Sequence, residues 1–150
     1  MTHDRASLDT RRQLPYPPDA VYAAFAAPER LARWWGPDGF ANTFERFDFA
    51  PGGAWVFTMH GPDGTDYPNR CVFAALEPGR RVVIDHVCDP LFTLTVTLHA
   101  AGDGTELRWR QTFADAATAD ALRAVCEPAN EQNLDRLHAE LAAGGPADGR

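Results

Sequence analysis

The sequence predicts an α+β protein in which a curved, seven-stranded antiparallel sheet wraps around a long C-terminal helix. Segments in which large apolar residues alternate with polar ones fill the middle of the chain, and this period of two is typical of strands. Glycine, proline and aspartate cluster between those segments, where tight turns require them. Leucines at spacings of three and four close the sequence, and this spacing indicates a helix.

A strand at 10–16 comes first, and two short helices follow it. Pro17-Pro18-Asp19 favours a helix start, because a proline in the first helical turn gives up no backbone hydrogen bond. The second helix is predicted at 28–35, and it carries Trp34 and Trp35 just before a Gly-Pro pair that ends it. The beginning of the chain therefore predicts the order β-α-α.

Six further strands are predicted after these helices. They are expected at 41–49, 54–60, 67–77, 81–88, 92–101 and 105–113. Short turn sequences such as Pro51-Gly52-Gly53 and Gly102-Asp103-Gly104 separate them. Connections this short force neighbouring strands to be antiparallel, so a six-strand meander and the first strand together give seven strands.

The C-terminal leucines predict a helix that Pro128 interrupts. A proline inside a helix removes one hydrogen bond and clashes with the carbonyl group four residues earlier, so we expect a kink or a break there. The main helix should run from about 128 to 143, and residues 144–150 should form a flexible tail. The 150 residues are expected to form one domain with an ordered core at about 8–143.

The predicted sheet is too wide for one helix to cover. Seven strands at a spacing of about 4.8 Å span roughly 30 Å, whereas a helix with its side chains is about 10 to 12 Å across. The sheet must therefore curl around the helix, and very large side chains or a ligand must fill the remaining gap. The two short helices can close one end of this groove, which would place Trp34 and Trp35 near its mouth.

The charge of the chain argues against nucleic acid as a partner. The formal net charge is −7, whereas phosphate binding requires a basic stripe, and the arginines here are scattered. All 14 basic residues are arginine, which excludes a lysine that forms a Schiff base with a substrate.

The sequence does not indicate a membrane protein or a secreted one. It has no run of about 18 apolar residues, and its first residues do not resemble a secretory signal, so we expect a cytoplasmic location. Cys71, Cys88 and Cys126 are an odd number without a close pair, which favours reduced thiols over disulfides.

Large side chains on matching strand faces indicate a dense core or a lined cavity. Trp55, Phe57 and Met59 alternate along one predicted strand, so they face one way. Trp109 and Gln111 do the same on the last strand. An inward-facing amide such as Gln111 needs a hydrogen-bond partner, which a neighbouring side chain, water or a ligand could supply.

His86 is the candidate for catalysis, because a neutral imidazole could act as a general base near neutral pH. A hydrogen bond to a neighbouring strand or a place in the cavity lining would explain it equally. Asn69 follows a hairpin turn and is expected to cap turn groups or to face the cavity. We expect no metal, because His86 and Cys88 lack the closer ligand pairs of zinc sites.

An ordered string of motifs runs through these elements. It comprises Trp34-Trp35-Gly36-Pro37, Pro51-Gly52-Gly53 followed by Trp55, Phe57 and Met59, Gly61-Pro62-Asp63-Gly64, and Asn130-Glu131-Gln132-Asn133-Leu134 followed by Arg136 and Leu137. In these motifs the sequence resembles the homologues of the activator of heat-shock-protein-90 ATPase, a family of the SRPBCC or START-like superfamily. The resemblance covers roughly residues 8–143 and implies the helix-grip fold.

The resemblance leaves the activity open. Relatives in the superfamily include carriers of lipids and other hydrophobic ligands, plant hormone receptors, polyketide cyclases and aromatases, and co-chaperone domains. Many family members carry a tryptophan in the last helix at the position of Asn130, which implies a more polar cavity floor in this chain.

The favoured hypothesis is an internal cavity that binds a small hydrophobic, aromatic or lipid-like ligand without a cofactor. The candidate ligand-binding residues are Trp34, Trp35, Trp55, Phe57, Met59, Asn69, His86, Trp109, Gln111 and Asn130. An enzyme of the cyclase, dehydratase or hydrolase type and a co-chaperone that activates a chaperone ATPase are the alternatives. The sheet edges and the short-helix face could also support a homodimer.

Overall fold

The computed structural model describes residues 6–144. Within that range the chain forms seven strands and three helices in the order β-α-α-β6-α. The strands are β1 (Ser7–Leu14), β2 (Ala41–Phe47), β3 (Ala54–His60), β4 (Asp66–Glu77), β5 (Arg81–His86), β6 (Phe92–Ala101) and β7 (Gly104–Phe113). The helices are α1 (Pro18–Ala26), α2 (Pro28–Trp34) and α3 (Ala116–Gly144). Apart from Gly144, the tail predicted to be flexible lies outside the described residues.

The strands form one antiparallel sheet in the order β1-β7-β6-β5-β4-β3-β2. Strands β2 to β7 are a meander, and β1 joins it along β7, with Leu8 opposite Gln111. Register shifts follow Phe44 in β2 and Phe73 in β4, and such bulges bend a strand and increase its twist. This architecture confirms the predicted α+β helix-grip fold.

The core lies between the inner face of the sheet and the helices. Alternate residues of the strands are buried, such as Trp55 and Phe57 of β3 and Leu107 and Trp109 of β7. From α3, the core receives Leu134, Leu137 and Leu141. This helix packs closely on β1 and β7, at one end of the sheet, and α1 and α2 pack beside it.

The helix does not break at Pro128, because α3 continues through that residue, and the alternative of a kink stays a prediction. Pro128 is exposed, and so is Ala124, whose carbonyl group the proline leaves without a helical partner, so solvent can satisfy this group. Packing also holds both halves of the helix. Ala119 in the first half packs with Phe113, and Leu134 in the second half lies in the main core.

The other predicted boundaries agree closely with the structure. β3 and β6 have the predicted bounds, and β1 begins at Ser7 rather than Thr10, because it pairs with β7 as far as Thr112. No helix within residues 6–144 is long and apolar enough to cross a bilayer. The expected cytoplasmic location and homodimer stay predictions.

A buried carboxylate joins α2 to α3. Glu140 of α3 is 7% exposed and accepts hydrogen bonds from Arg33 Nε at 2.9 Å and from Arg30 Nε at 3.0 Å. The hydrogen bonds from Arg33 lower the pKa of Glu140, and those from Arg30 add to this effect, while burial opposes it. The carboxylate therefore stays ionised to a lower pH in the folded protein than in the unfolded chain.

We expect Glu140→Gln to lower the free energy of unfolding by about 2 kcal/mol at pH 7, because the charged hydrogen bonds are lost. Since the pKa is lowered on folding, this stabilisation is complete above about pH 5 and is lost as the pH falls. Urea unfolding of the wild type and Glu140→Gln between pH 7 and pH 3 would show that the difference between their free energies of unfolding becomes smaller as the pH falls. Glu127→Gln, at an exposed pair with Arg123, should have little effect at any pH. A difference for Glu140→Gln that is independent of pH would contradict this account.

Candidate ligand-binding site

Side chains from α3 and β2 hold the C-terminal end of α2. The last carbonyl groups of a helix have no partner within it. Asn133 of α3 donates Nδ2 to the carbonyl oxygen of Trp34 at 2.8 Å. Asn42 of β2 donates Nδ2 to the carbonyl oxygens of Ala32 and Trp35, at 3.0 and 2.9 Å. These bonds satisfy the end of the helix and fix its position over the sheet.

Arg136 of α3 extends this capping into the loop that follows α2, which we call loop 35–40. Its Nη1 and Nη2 atoms donate to backbone carbonyl oxygens at 2.8 to 3.2 Å, those of Arg33, Trp35, Gly36, Pro37 and Phe40. Burial lowers the pKa of the Arg136 guanidinium, although the charge of Asp38 opposes this effect. An arginine keeps its charge at neutral pH despite such a shift, so the loop is bound to a cation.

Gly36 allows loop 35–40 to lie directly on β3. Its φ angle is +97°, in the region that favours glycine. A Cβ atom at this position would come within 2.8 Å of Met59 Cε and 3.3 Å of Phe40 Cβ. The loop therefore touches the sheet at Met59 and forms one wall of the space behind it.

A cavity of about 560 Å³ lies between loop 35–40, the inner face of the sheet and α3. This volume is in the range of small-molecule sites. Its lining is mostly apolar and aromatic, and includes Trp35, Phe40, Phe57, Met59, Tyr67, Ile84, Phe92, Leu94, Trp109 and Val125. Tyr67 and Val125 are 45% and 68% exposed, so the cavity reaches the surface between the start of β4 and α3.

Most of the predicted site residues meet at this cavity. Those in its lining are Trp35, Phe57, Met59, Asn69, His86, Trp109, Gln111 and Asn130. They come from loop 35–40, from β3, β4, β5 and β7, and from α3. The inward-facing residues predicted from the alternation along each strand therefore lie on a common wall of the cavity.

Trp34 and Trp55 lie outside the lining, in the packed core. The position at the mouth predicted for Trp34 is wrong, because its indole N–H donates to the carbonyl oxygen of Ala24 at 3.0 Å. Its ring packs edge-on against Phe25, with ring centroids 4.9 Å apart. Trp55 is stacked on Phe57 at 4.2 Å, so it supports the wall from behind.

His86 is hydrogen-bonded at both ring nitrogens. Nδ1 lies 2.7 Å from the carbonyl oxygen of Pro90, and Nε2 lies 2.6 Å from Asn69 Oδ1. The amide of Asn69 is oriented by its Nδ2, which donates to the carbonyl oxygen of Tyr67 at 2.8 Å. Both oxygens are acceptors, and a neutral imidazole can donate its single N–H group to only one of them. Each ring nitrogen lies against a protein oxygen, so neither is open to a ligand in the cavity.

The cysteines of the cavity wall are not activated nucleophiles. Burial raises the pKa of Cys71 to about 12, and burial also raises the pKa of Cys126. A thiol with a raised pKa stays protonated at neutral pH and is a poor nucleophile. Within residues 6–144, no cluster of His, Cys, Asp and Glu side chains could hold a metal ion.

Amide side chains form the polar part of the wall, where α3 faces β7. Gln111 of β7 and Asn130 of α3 are 7% and 9% exposed. Asn130 Nδ2 donates to Gln111 Oε1 at 3.1 Å, so Asn130 is the hydrogen-bond partner that Gln111 needs. We call these two residues the amide pair.

Comparison with known proteins gives the family. Residues 15–142 match the family described as Activator of Hsp90 ATPase homolog 1-like protein. The chain belongs to this family. The match confirms the resemblance that the motifs indicate. A comparison with curated proteins gave no match for this sequence.

Several solved structures share the fold of this chain along nearly its whole length. A protein of Nitrosomonas europaea has a TM-score of 0.87 at 19% identity, covering 95% of this chain and 97% of that chain. A protein of Chromobacterium violaceum has a TM-score of 0.79 at 26% identity, covering 89% and 95%. The AHSA1 protein of Silicibacter pomeroyi has a TM-score of 0.77 at 22% identity, covering 93% and 100%.

The structure shows contacts of three motif residues of α3 whose roles the sequence did not predict. Asn130, Asn133 and Arg136 follow one another at intervals of three, so they lie along one side of α3. Polar residues at such intervals beside the buried Leu134 and Leu137 are the signal that could have identified them. The partners of Asn133 and Arg136 lie about one hundred residues earlier in the sequence, and the partner of Asn130 lies on β7. A local sequence pattern therefore does not reveal these partners.

Arg136→Met should lower the free energy of unfolding by about 3 kcal/mol, because it leaves the carbonyl groups of loop 35–40 without their charged donor. Urea unfolding measures this loss. Arg123→Met, on the same helix, removes exposed ion pairs with Asp120 and Glu127 and should cost less than about 1 kcal/mol. Equal losses in the two variants would contradict the role of Arg136.

Proposed function

We propose that this protein binds a small, largely apolar ring compound in the cavity between the sheet, loop 35–40 and α3. The observation that carries the proposal is the cavity of about 560 Å³, with an aromatic and aliphatic lining and a few polar groups. Sites of this composition suit ligands that leave water readily and are oriented by a small number of hydrogen bonds. The AHSA1-like fold is compatible with such a ligand.

The aromatic wall of the cavity is held in place before a ligand arrives. Trp35 and Trp109 lie with ring centroids 5.7 Å apart, and Trp35 packs edge-on against Trp55 at 5.0 Å. Because these rings already contact one another, a ligand does not have to order them, and binding costs less conformational entropy. Flat rings suit such a wall, because offset and edge-on ring contacts add to the burial of apolar area.

The entrance lies where apolar side chains remain exposed. Tyr67 packs against Phe40 of loop 35–40 with ring centroids 5.9 Å apart, and Val125 of α3 is exposed beside the same cavity. A ligand that enters between Tyr67 and Val125 leaves solvent gradually and meets the indoles of Trp35 and Trp109 inside.

The alternatives receive less support. A cyclase, dehydratase or hydrolase needs a group that moves a proton, and both ring nitrogens of His86 lie against protein oxygens. A role as an activator of a chaperone ATPase rests on the description of the family. Ligand binding is the function that the cavity itself supports.

Ala129→Phe should weaken binding about tenfold or more, because a phenyl group at this cavity-lining position of α3 occupies the space of the ligand. The measurement is a fluorescence titration with N-phenyl-1-naphthylamine, an uncharged aromatic probe. Ala139→Phe is the matched control, because Ala139 is exposed on the same helix and lies outside the lining. Circular dichroism checks that both variants fold. Equal affinity in the wild type and Ala129→Phe would contradict the proposed site.

A further inference from the structure

The amide pair is a polar feature in an otherwise apolar part of the cavity. Gln111 and Asn130 are both more than nine-tenths buried, and Trp109 lies two residues before Gln111 on the same strand face. A buried amide that lacks hydrogen-bond partners costs about 1 to 3 kcal/mol. The remaining polar atoms of the pair are not fully enclosed, so water or a ligand in the cavity can reach them and spare this cost.

The bond within the pair uses half of its polar atoms. Asn130 Nδ2 donates to Gln111 Oε1, and within residues 6–144 neither Asn130 Oδ1 nor Gln111 Nε2 has a hydrogen-bond partner. The pair thus offers one carbonyl acceptor and one NH₂ donor at the cavity wall. If both amides were turned over together, they would still offer one acceptor and one donor.

The charged residues of the cavity lining disfavour an anion. Among the described residues, no arginine lines the cavity, whereas Asp66 and Asp89 do. On another part of the wall, both ring nitrogens of His86 lie against protein oxygens, those of Asn69 and Pro90. A carboxylate ligand would find no free cationic donor, and the carbonyl of the amide pair would repel it.

We infer that the ligand of this cavity is an uncharged planar ring compound that carries an N–H donor beside a carbonyl acceptor, the pattern of a lactam, and that it docks on Gln111 and Asn130. This inference rests on the proposed function of the cavity and specifies the chemistry of its ligand. The lactam N–H donates to the free amide oxygen of the pair, and the lactam carbonyl accepts from the free NH₂ group.

This arrangement discriminates a lactam from a lactone of the same shape. A lactone replaces the N–H group with an oxygen atom, which would face the free carbonyl oxygen of the pair without a proton between them. The loss of one buried hydrogen bond corresponds to a change of about tenfold in affinity. A purely apolar ring would leave both free atoms of the pair unsatisfied.

The experiment compares three bicyclic probes of similar size by equilibrium dialysis with the full chain. 2-Quinolone carries the lactam, coumarin carries the lactone, and naphthalene has no polar group. We expect 2-quinolone to bind about tenfold more tightly than coumarin. Equal affinity for 2-quinolone, coumarin and naphthalene would overturn the inference and leave the proposed function intact. No binding of any of the three would overturn both. Tighter binding of 2-naphthoate than of 2-quinolone would overturn the inference as well.

A double variant tests whether the amide pair causes the preference. Gln111→Leu with Asn130→Leu replaces both hydrogen-bonded partners by apolar groups of similar size, which is nearly neutral for stability. Both changes are made together because a single remaining amide could still offer a donor and an acceptor. We expect the preference for 2-quinolone over coumarin to disappear while naphthalene still binds.

The matched control is Gln13→Leu, which removes an exposed amide from β1 outside the cavity lining and should keep the preference of the wild type. Thermal unfolding checks that each variant folds. A double variant that folds and keeps the full preference for 2-quinolone would show that other groups select the ligand, and the inference would be wrong.

Discussion

Seven strands at a spacing of about 4.8 Å span roughly 30 Å, whereas a helix with its side chains is about 10 to 12 Å across. In this protein α3 packs on β1 and β7, so it covers one end of the sheet. The inner faces of β3 to β6 must be closed by other groups, and α1, α2 and loop 35–40 close part of that area. The rest remains as the cavity. The mismatch in width between sheet and helix is thus the physical origin of the site.

The cavity keeps its shape because hydrogen bonds hold loop 35–40, which forms one of its walls. Loop 35–40 has little regular structure, and the carbonyl groups of Trp35, Gly36 and Phe40 depend on Arg136 and Asn42 for their hydrogen bonds. The same side of α3 that binds loop 35–40 through Arg136 and the end of α2 through Asn133 also presents Asn130 to the cavity. One helix therefore positions the loop, satisfies the end of α2 and supplies polar groups to the site.

The sequence predicts those parts of the fold that interactions between neighbouring residues determine. Turns such as Pro51-Gly52-Gly53 and the alternation along β3 act between near neighbours, so the strands and their antiparallel order follow from pattern alone. Pro128 does not break α3, because long-range packing on both sides of it outweighs one lost hydrogen bond. In the site, strand parity predicts inward residues such as Phe57 and Gln111. It does not predict which indole at the end of α2 lines the cavity, or that Arg136 reaches the loop.

The central claim is that the space between the sheet and α3 is an apolar cavity and not packed core. Crystals of the unliganded protein under xenon pressure test this directly, because xenon binds in apolar cavities of sufficient size. The account predicts a xenon atom beside Phe57, Ile84 and Trp109, which line the cavity. A structure in which side chains fill this space and no xenon binds there would contradict it.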